Sequence, residues 1–377
     1  MCFGIKSLNT LSIEEREALK DAVSKLMADA STETAVRETM ETSSGFDAGL
    51  WRQLAEMGVT GLIIEEKFGG SGVGPVELEA VMEEAGAALL CAPLLASSVI
   101  AASLLQQLGD VTVCENLLPR MASGDCIASA VLTGDVGNWT PEGVSVEATE
   151  AADGWQLSGR GSYVLHAQNA DILIVIAKTA ADFAAFTVDS KAAGLSIEAL
   201  PTFDKTLRLA SVDLKDVAAS RIDAVNPVWD AVKHTLDMAL VALAGEQAGG
   251  ASKVLEFTVE YAKTRVQFGR QIGSYQAIKH MAADLLVETE SALSAARYAA
   301  ACLAENSDKS DEAVSLAAFA CADAYVKAAA DGIQMHGGIA FTWEHPAHLY
   351  LRRARSGAQL FGDSDYHREN YLQALGG

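Results

Sequence analysis

The sequence predicts an α+β protein with an N-terminal helical domain, a middle antiparallel β domain and a C-terminal four-helix bundle. Three observations predict it. The hydrophobic period switches from helical spacing to alternation near residue 122, and back to helical spacing near 225. Only seven prolines occur in 377 residues, so long uninterrupted helices are available. A chain of this length exceeds one core, which places the domains at 1–121, 122–224 and 225–377.

Ser12-Ile-Glu-Glu15 has the form of a capping box, and Leu19, Val23, Leu26 and Met27 follow at helical spacing. Asp47 is placed to cap a short helix reaching Met57. Gly69-Gly70-Ser-Gly72-Val-Gly74-Pro75 lacks the G-x-G-x-x-G spacing and a surrounding βαβ unit, so it reads as a turn into a helix with Pro75 near its first position. Strand character follows in 144–150, 155–159, 172–177 and 183–188, with turns at Gly124-Asp, Asp153-Gly and Gly194. From Val228 to about Thr264 a helix of roughly 55 Å is expected. Helices over Ser274 to about Asn306 and Asp311 to about Met335 come next, then helical segments near 349–355 and 365–375.

Composition excludes several functions. A net charge of −22 opposes nucleic acid and anionic membrane surfaces, since phosphate neutralisation needs clustered Lys and Arg. Cysteines at 2, 91, 114, 126, 302 and 321 form no Cys-x-x-Cys pair and read as scattered reduced thiols. No histidine and carboxylate spacing suggests a metal site. Met1-Cys-Phe-Gly lacks the basic start of a signal peptide, and no apolar run of about 18 residues free of charges and glycines is present. The expectation is a cytoplasmic protein without a membrane span.

The segment with most chemistry is Tyr261-Ala-Lys-Thr-Arg265-Val-Gln267-Phe268-Gly269-Arg270-Gln-Ile-Gly273-Ser-Tyr-Gln276, a corner between two helices. A second is Ile333-Gln334-Met335-His336-Gly337-Gly338. Arginine and amide donors hold phosphate oxygens, and glycines admit close backbone approach, so the pair suits a diphosphate cofactor. Together these segments resemble the C-terminal domain of the acyl-CoA dehydrogenase family, and the helix–β–bundle order extends the resemblance over nearly the whole chain. The resemblance implies FAD as cofactor. It also implies that Arg265, Gln267, Phe268, Gln334, Gly337 and Gly338 contact the FAD of a neighbouring subunit. His336 and His345 read as packing or cofactor-rim residues.

Family members desaturate an acyl-CoA between Cα and Cβ, a carboxylate taking the α proton while hydride passes to flavin N5. By this resemblance Gly362, in Leu360-Phe361-Gly362-Asp363-Ser364, stands where many members carry the glutamate, and Ala239 stands at the alternative position. Glu246 remains. It lies among small and apolar residues with no Lys or Arg three or four positions away, where desolvation would raise its pKa as a base requires. A packed structural glutamate and a solvated one are the alternatives. Asp363 is the next candidate base, with turn formation its ordinary explanation. Arg265 lies 19 residues after Glu246. That is roughly 28 Å along a straight helix, too far for both to serve one flavin ring.

The middle domain departs from the family pattern. Leu132-Thr133-Gly134-Asp135-Val-Gly137-Asn138-Trp139 keeps only the threonine of Thr-Glu-Pro-x-x-Gly-Ser-Asp, and Tyr163 stands for the usual tryptophan. This imbalance resembles a bacterial branch acting on steroid or bile-acid side-chain CoA thioesters, in which two paralogous chains share one FAD. The resemblance implies an acyl-CoA substrate, an electron-transfer flavoprotein as acceptor, and a homo- or heterotetramer. Three readings stand open: a dehydrogenase with Glu246 as base, a non-catalytic subunit completing a paralogue's flavin site, and an oxidase or monooxygenase on the same scaffold.

Overall fold

The computed structural model describes residues 10–152 and 154–376; Cys2, the Met1-Cys-Phe-Gly start and Asp153 of the expected turn lie outside them. In chain order the elements are α1 (Ile13–Ala30), α2 (Glu33–Glu41), α3 (Ala48–Glu56), α4 (Pro75–Ala87), α5 (Ala102–Leu108) and α6 (Val111–Ala122). The strands β1 (Ala128–Val131), β2 (Glu147–Ala151), β3 (Gly154–Leu165), β4 (Ile172–Lys178), β5 (Phe183–Asp189), β6 (Leu195–Ala199) and β7 (Leu209–Arg221) follow. Then come α7 (Val228–Thr264), the short strands β8 (Val266–Gln267) and β9 (Arg270–Gln271), α8 (Gln276–Ala304), α9 (Ser310–His336), α10 (Ala347–Gly357) and α11 (Ser364–Ala374). The helix–β–helix order read from the sequence is present. So are the Ser12/Glu15 capping box, the Asp47 cap and Pro75 as the first residue of α4.

Two compact units are each assembled from non-contiguous segments. The β unit holds residues 39–74 and 91–239, and the helical unit holds 10–38, 75–90 and 240–377. In the β unit, pairings run β4–β2–β3–β7–β5 and return from β5 to β4, closing a ring around Leu157, Leu173, Val175, Phe186, Val212 and Val217. The sheet is not purely antiparallel as expected. β1 runs parallel to β4 with Ala128 opposite Ile172, and β2 meets β4 in parallel at Glu147. Strands β1, β6 and β7 are additions to the sequence reading.

The helical unit centres on α9, which packs against α8, α10 and α11. α1 lies on α4, and α4 on α8. Along α7 two faces are stripped of side chains. A Cβ at Gly249 would overlap the Glu83 carbonyl oxygen, one at Gly245 would come within 2.7 Å of the Glu79 oxygen, and one at Gly86 would overlap the Glu246 oxygen. Backbone therefore meets backbone where α4 crosses α7. On another face, a Cβ at Gly332 of α9 would lie 2.9 Å from Val254, and Gly250 makes room for the Tyr325 ring. Among the described residues one helical segment, Ser310–Phe341, is long and apolar enough to cross a membrane, but 61% of its apolar 18-residue window is buried inside the protein. It is the core helix of this unit.

Burial on α4 gives a first prediction. Glu79 is 3% exposed, and its Oε1 has no hydrogen-bond partner. Burial, with Glu83 adding, pushes its carboxyl up to about 7 against the opposing pull of Arg297, Lys20 and Arg16. Between about pH 4.5 and 7 the folded chain keeps a proton that the unfolded chain has released, so stability falls through that window and stays low above it. Glu79→Gln is expected to raise stability by on the order of 3 kcal/mol at pH 8 and by little near pH 4.5. Thermal or urea melts at the two pH values check it; equal effects at both would contradict the assignment.

Candidate cofactor and catalytic site

The corner after α7 is a miniature hairpin. Val266 pairs with Gln271 and Gln267 with Arg270, leaving Phe268-Gly269 as a two-residue turn. Both turn residues have positive φ, 53° and 81°, the requirement of a type I′ turn. Phenylalanine in that region is strained, and its ring is 92% exposed. The corner is nevertheless well held. Ile272 N donates to Arg265 O at 2.8 Å, Tyr275 hydroxyl to Gln267 O at 3.2 Å, and Arg270 lies over the Tyr275 ring at 3.9 Å. Arg265 itself is exposed, and its guanidinium makes no ion pair among the described residues. The hairpin thus presents a strained, exposed aromatic beside an arginine with no ion pair among the described residues.

The second segment ends α9. Gln334, Gly337 and Gly338 are exposed, and nothing lies within 4 Å of a Cβ built on either glycine. Gly337 has φ 67°, ψ −144°, a conformation open to glycine alone. Behind it Ile333, Ala340 and Ala347 pack with Phe257 and Leu351, so the outward-facing backbone rests on an apolar base. The His336 ring stacks on Tyr261 of α7 with 4.4 Å between centroids, and Tyr261 stands four residues before Arg265. The two segments expected to hold a cofactor are therefore linked through one side-chain contact. Exposed amide donors, an unpaired guanidinium and open glycine backbone fit the diphosphate of FAD.

Glu246 requires a correction. It is not a lone carboxylate: Arg353 Nη1 donates to its Oε1 at 2.9 Å, and the side chains are 10% and 5% exposed. Arg353 also donates from Nη2 to the Leu90 carbonyl at 2.9 Å. The space beside its small neighbours Gly245 and Gly249 is taken by the α4 backbone at Glu79 and Glu83. The local search along α7 missed Arg353 because it lies 107 residues away. One signal was available. Arg353 sits on the apolar stripe of α10 with Tyr350, Ala354 and Gly357, all buried, and a charge in that row implies a buried partner.

The other base positions hold either a carboxylate used as a cap or no carboxylate at all. Asp363 is the N-cap of α11, its side chain accepting from Tyr366 N at 2.8 Å. Gly362 has φ 116°, and a Cβ there would run into the Tyr366 ring and come within 3.2 Å of His367 Nε2. Ala239 is fully buried.

In the β unit the 132–139 loop is tied to itself. Thr133 hydroxyl donates to Asn138 O at 2.6 Å, Ser162 hydroxyl donates to Asp135, and Arg160 Nε reaches Asp135 Oδ1 at 3.1 Å. The Ser162 hydroxyl, and after it Arg160, hold the Asp135 carboxyl below its usual range. Tyr163, at φ 57°, donates its hydroxyl to Asp135 O at 3.2 Å, and a Cβ at Gly137 would sit 3.1 Å from its ring. The Ser162 hydroxyl is thus taken up by the Asp135 carboxylate, and the Thr133 and Tyr163 hydroxyls by backbone carbonyls of the loop.

Comparison with known proteins covers both ends of the chain. The family profile described as "Acyl-CoA dehydrogenase, C-terminal domain" matches residues 229–376, and "Acyl-CoA dehydrogenase, N-terminal domain" matches 13–125. Acyl-CoA dehydrogenase IpdE2 of Mycobacterium tuberculosis is 35% identical over 348 residues, 92% of this chain and 93% of its own. Among solved structures, the ChsE4–ChsE5 complex from Mycobacterium tuberculosis superposes with a TM-score of 0.88 at 27% identity, covering 98% of this chain and 99% of that one. A variant of the Tcur3481–Tcur3483 steroid ACAD gives 0.85 at 28% identity, covering 96% and 98%.

Proposed function

This chain belongs to the acyl-CoA dehydrogenase family, whose members are FAD-dependent oxidoreductases, and from that premise we propose that it is a supporting subunit. In this reading it completes a flavin site seated mainly in a paralogous chain, and the assembly desaturates an acyl-CoA thioester between Cα and Cβ. The observation that carries the reading is a contrast within the helical unit. The buried candidate base, Glu246, is engaged by Arg353, while Arg265, Gln267, Phe268, Gln334, Gly337 and Gly338 are exposed.

When bound, FAD supplies the hydride acceptor. This chain's own part would be to hold it: Arg265 and the amides of Gln267 and Gln334 would donate to diphosphate oxygens, Gly337 and Gly338 would let backbone N–H groups approach, and Phe268 would offer an apolar face. The α-proton base then comes from the paralogue. Similarity to a steroid ACAD favours a bulky acyl group such as a steroid side chain, and an electron-transfer flavoprotein as acceptor follows from the family reading. A heterotetramer of the two chains fits the relatives solved as two-chain assemblies. The competing reading, a self-sufficient enzyme with Glu246 as base, is disfavoured by the Arg353 ion pair.

Flavin content tests the proposal. Purified alone, the chain is expected to lack the flavin spectrum; co-expressed with its paralogue, the complex should be yellow and reduced by a suitable acyl-CoA. Stoichiometric FAD in the isolated chain, bleached by acyl-CoA, would overturn it.

A further inference from the structure

We propose that His336 is a positioning residue for the flavin diphosphate: stacked on Tyr261, it fixes the α9 end bearing Gln334, Gly337 and Gly338 against the α7 end bearing Arg265. The inference rests on the cofactor role assigned above to those two ends, and it adds the part that keeps them in register.

The geometry is specific. His336 is 5% exposed, and its Nδ1 lies 2.7 Å from Gly332 O, which assigns the ring proton to Nδ1. Nε2 is then a bare acceptor, buried without a hydrogen-bond partner. The ring is enclosed by aromatic groups: Tyr261 at 4.4 Å nearly parallel, His345 at 4.3 Å, and Phe257 edge-on at 5.6 Å. Tyr261 hydroxyl donates to His336 O at 3.4 Å, so ring and backbone of the same residue are both held from α7. Immediately beyond His336 lie the exposed Gly337 and Gly338, with nothing within 4 Å of a Cβ built on either. This imidazole is therefore the buried side chain next to the cofactor-facing segment.

The clamp works with neutral rings. Burial lowers His336, and it lowers His345 with His336 adding to the effect. His348 on α10 is drawn down to about 4 by burial, with Arg37 and Arg352 adding. Around them stand Glu33 and Arg37 of α2, Glu256 and Tyr261 of α7, and Tyr350 and Arg352 of α10. Of these Glu33 favours protonation, whereas Arg37 opposes it. A depressed histidine contributes fully above its ordinary value near 6.5, and the contribution is lost as pH falls below that. Only below the depressed folded values would the rings themselves charge, and at 4.3 Å they would repel and loosen the α9 end.

The test uses the complex with the paralogous chain, stripped of flavin and titrated with FAD by fluorescence quenching. His336→Ala is expected to weaken FAD binding roughly three- to tenfold at pH 7.5 through loss of the stack. His336→Phe keeps the stack and should bind as wild type at pH 7.5. Wild-type affinity should fall once pH is lowered from 7.5 far enough to charge the ring pair, and His336→Phe should show a clearly flatter profile. A His336→Phe profile identical to wild type would overturn the inference. So would His336→Ala binding FAD as wild type while Arg265→Ala does not. If Arg265→Ala also binds as wild type, the cofactor role of both segments falls, and this inference with it.

Discussion

Glu246→Gln is expected to destabilise the chain by about 3–5 kcal/mol while leaving turnover per folded complex nearly unchanged. The carboxylate is the buried ion-pair partner of Arg353, whose side chain is 5% exposed and held additionally by Leu90 O. Removing one member of such a pair strands the other in a region closed to water, and the amide of glutamine returns only a neutral acceptor. The double replacement Glu246→Leu with Arg353→Met removes both charges and should recover most of the loss, because two apolar side chains of similar volume satisfy the same space. Urea melts of the three variants measure the stability effect, and acyl-CoA-dependent flavin reduction in the complex measures turnover. A Gln variant that melts like wild type but cannot reduce flavin would sink the structural role and restore Glu246 as the α-proton base.

That residue also shows where sequence reasoning stops. α7 was legible from end to end, because an uninterrupted stretch without proline, closed by a polar corner, leaves few alternatives. The meaning of Glu246 was not legible, because a helix read by itself reports only neighbours three and four positions away. Its small neighbours were visible, and their cause was not. A glycine row reads equally as space for a ligand or as the bed of a crossing helix, and only α4 decides between them. The same holds for Phe268: the sequence shows an aromatic near a glycine, while the strained φ of 53° and the exposed ring appear only in the folded hairpin.

The missed strands have a similar physical origin. In β7 the alternation is interrupted, since Leu157 pairs with Val217 but Gly159 with Leu214, a bulge that shifts one side chain to the other face. Asp213, Lys215 and Asp216 around that shift give the segment the look of a loop. β6 is only five residues long, pairs with β7 and is half solvated. β4 was found because most of its length is buried, and its parallel neighbour β1 was missed because four residues carry no period.

Arg265→Ala in the two-chain complex is expected to weaken FAD retention by about 10- to 150-fold, the equivalent of roughly 1.5–3 kcal/mol for a charge-assisted hydrogen bond. The melting of the chain should not change, because the side chain is exposed and makes no ion pair among the described residues. Arg265→Lys should recover only part of the affinity, since an ammonium keeps the charge but not the forked donor geometry. Phe268→Gly separates function from stability more sharply. It relieves a non-glycine residue from φ 53°, so the hairpin should be no less stable, yet it removes the apolar face offered to the cofactor and should weaken FAD binding. Loss of binding without loss of stability marks a residue kept for its ligand. FAD titrations of the stripped complex, paired with thermal melts, decide the matter. If both variants bind FAD like wild type, the hairpin serves chain association alone; if both lose stability instead, the corner is a structural brace and the cofactor assignment fails.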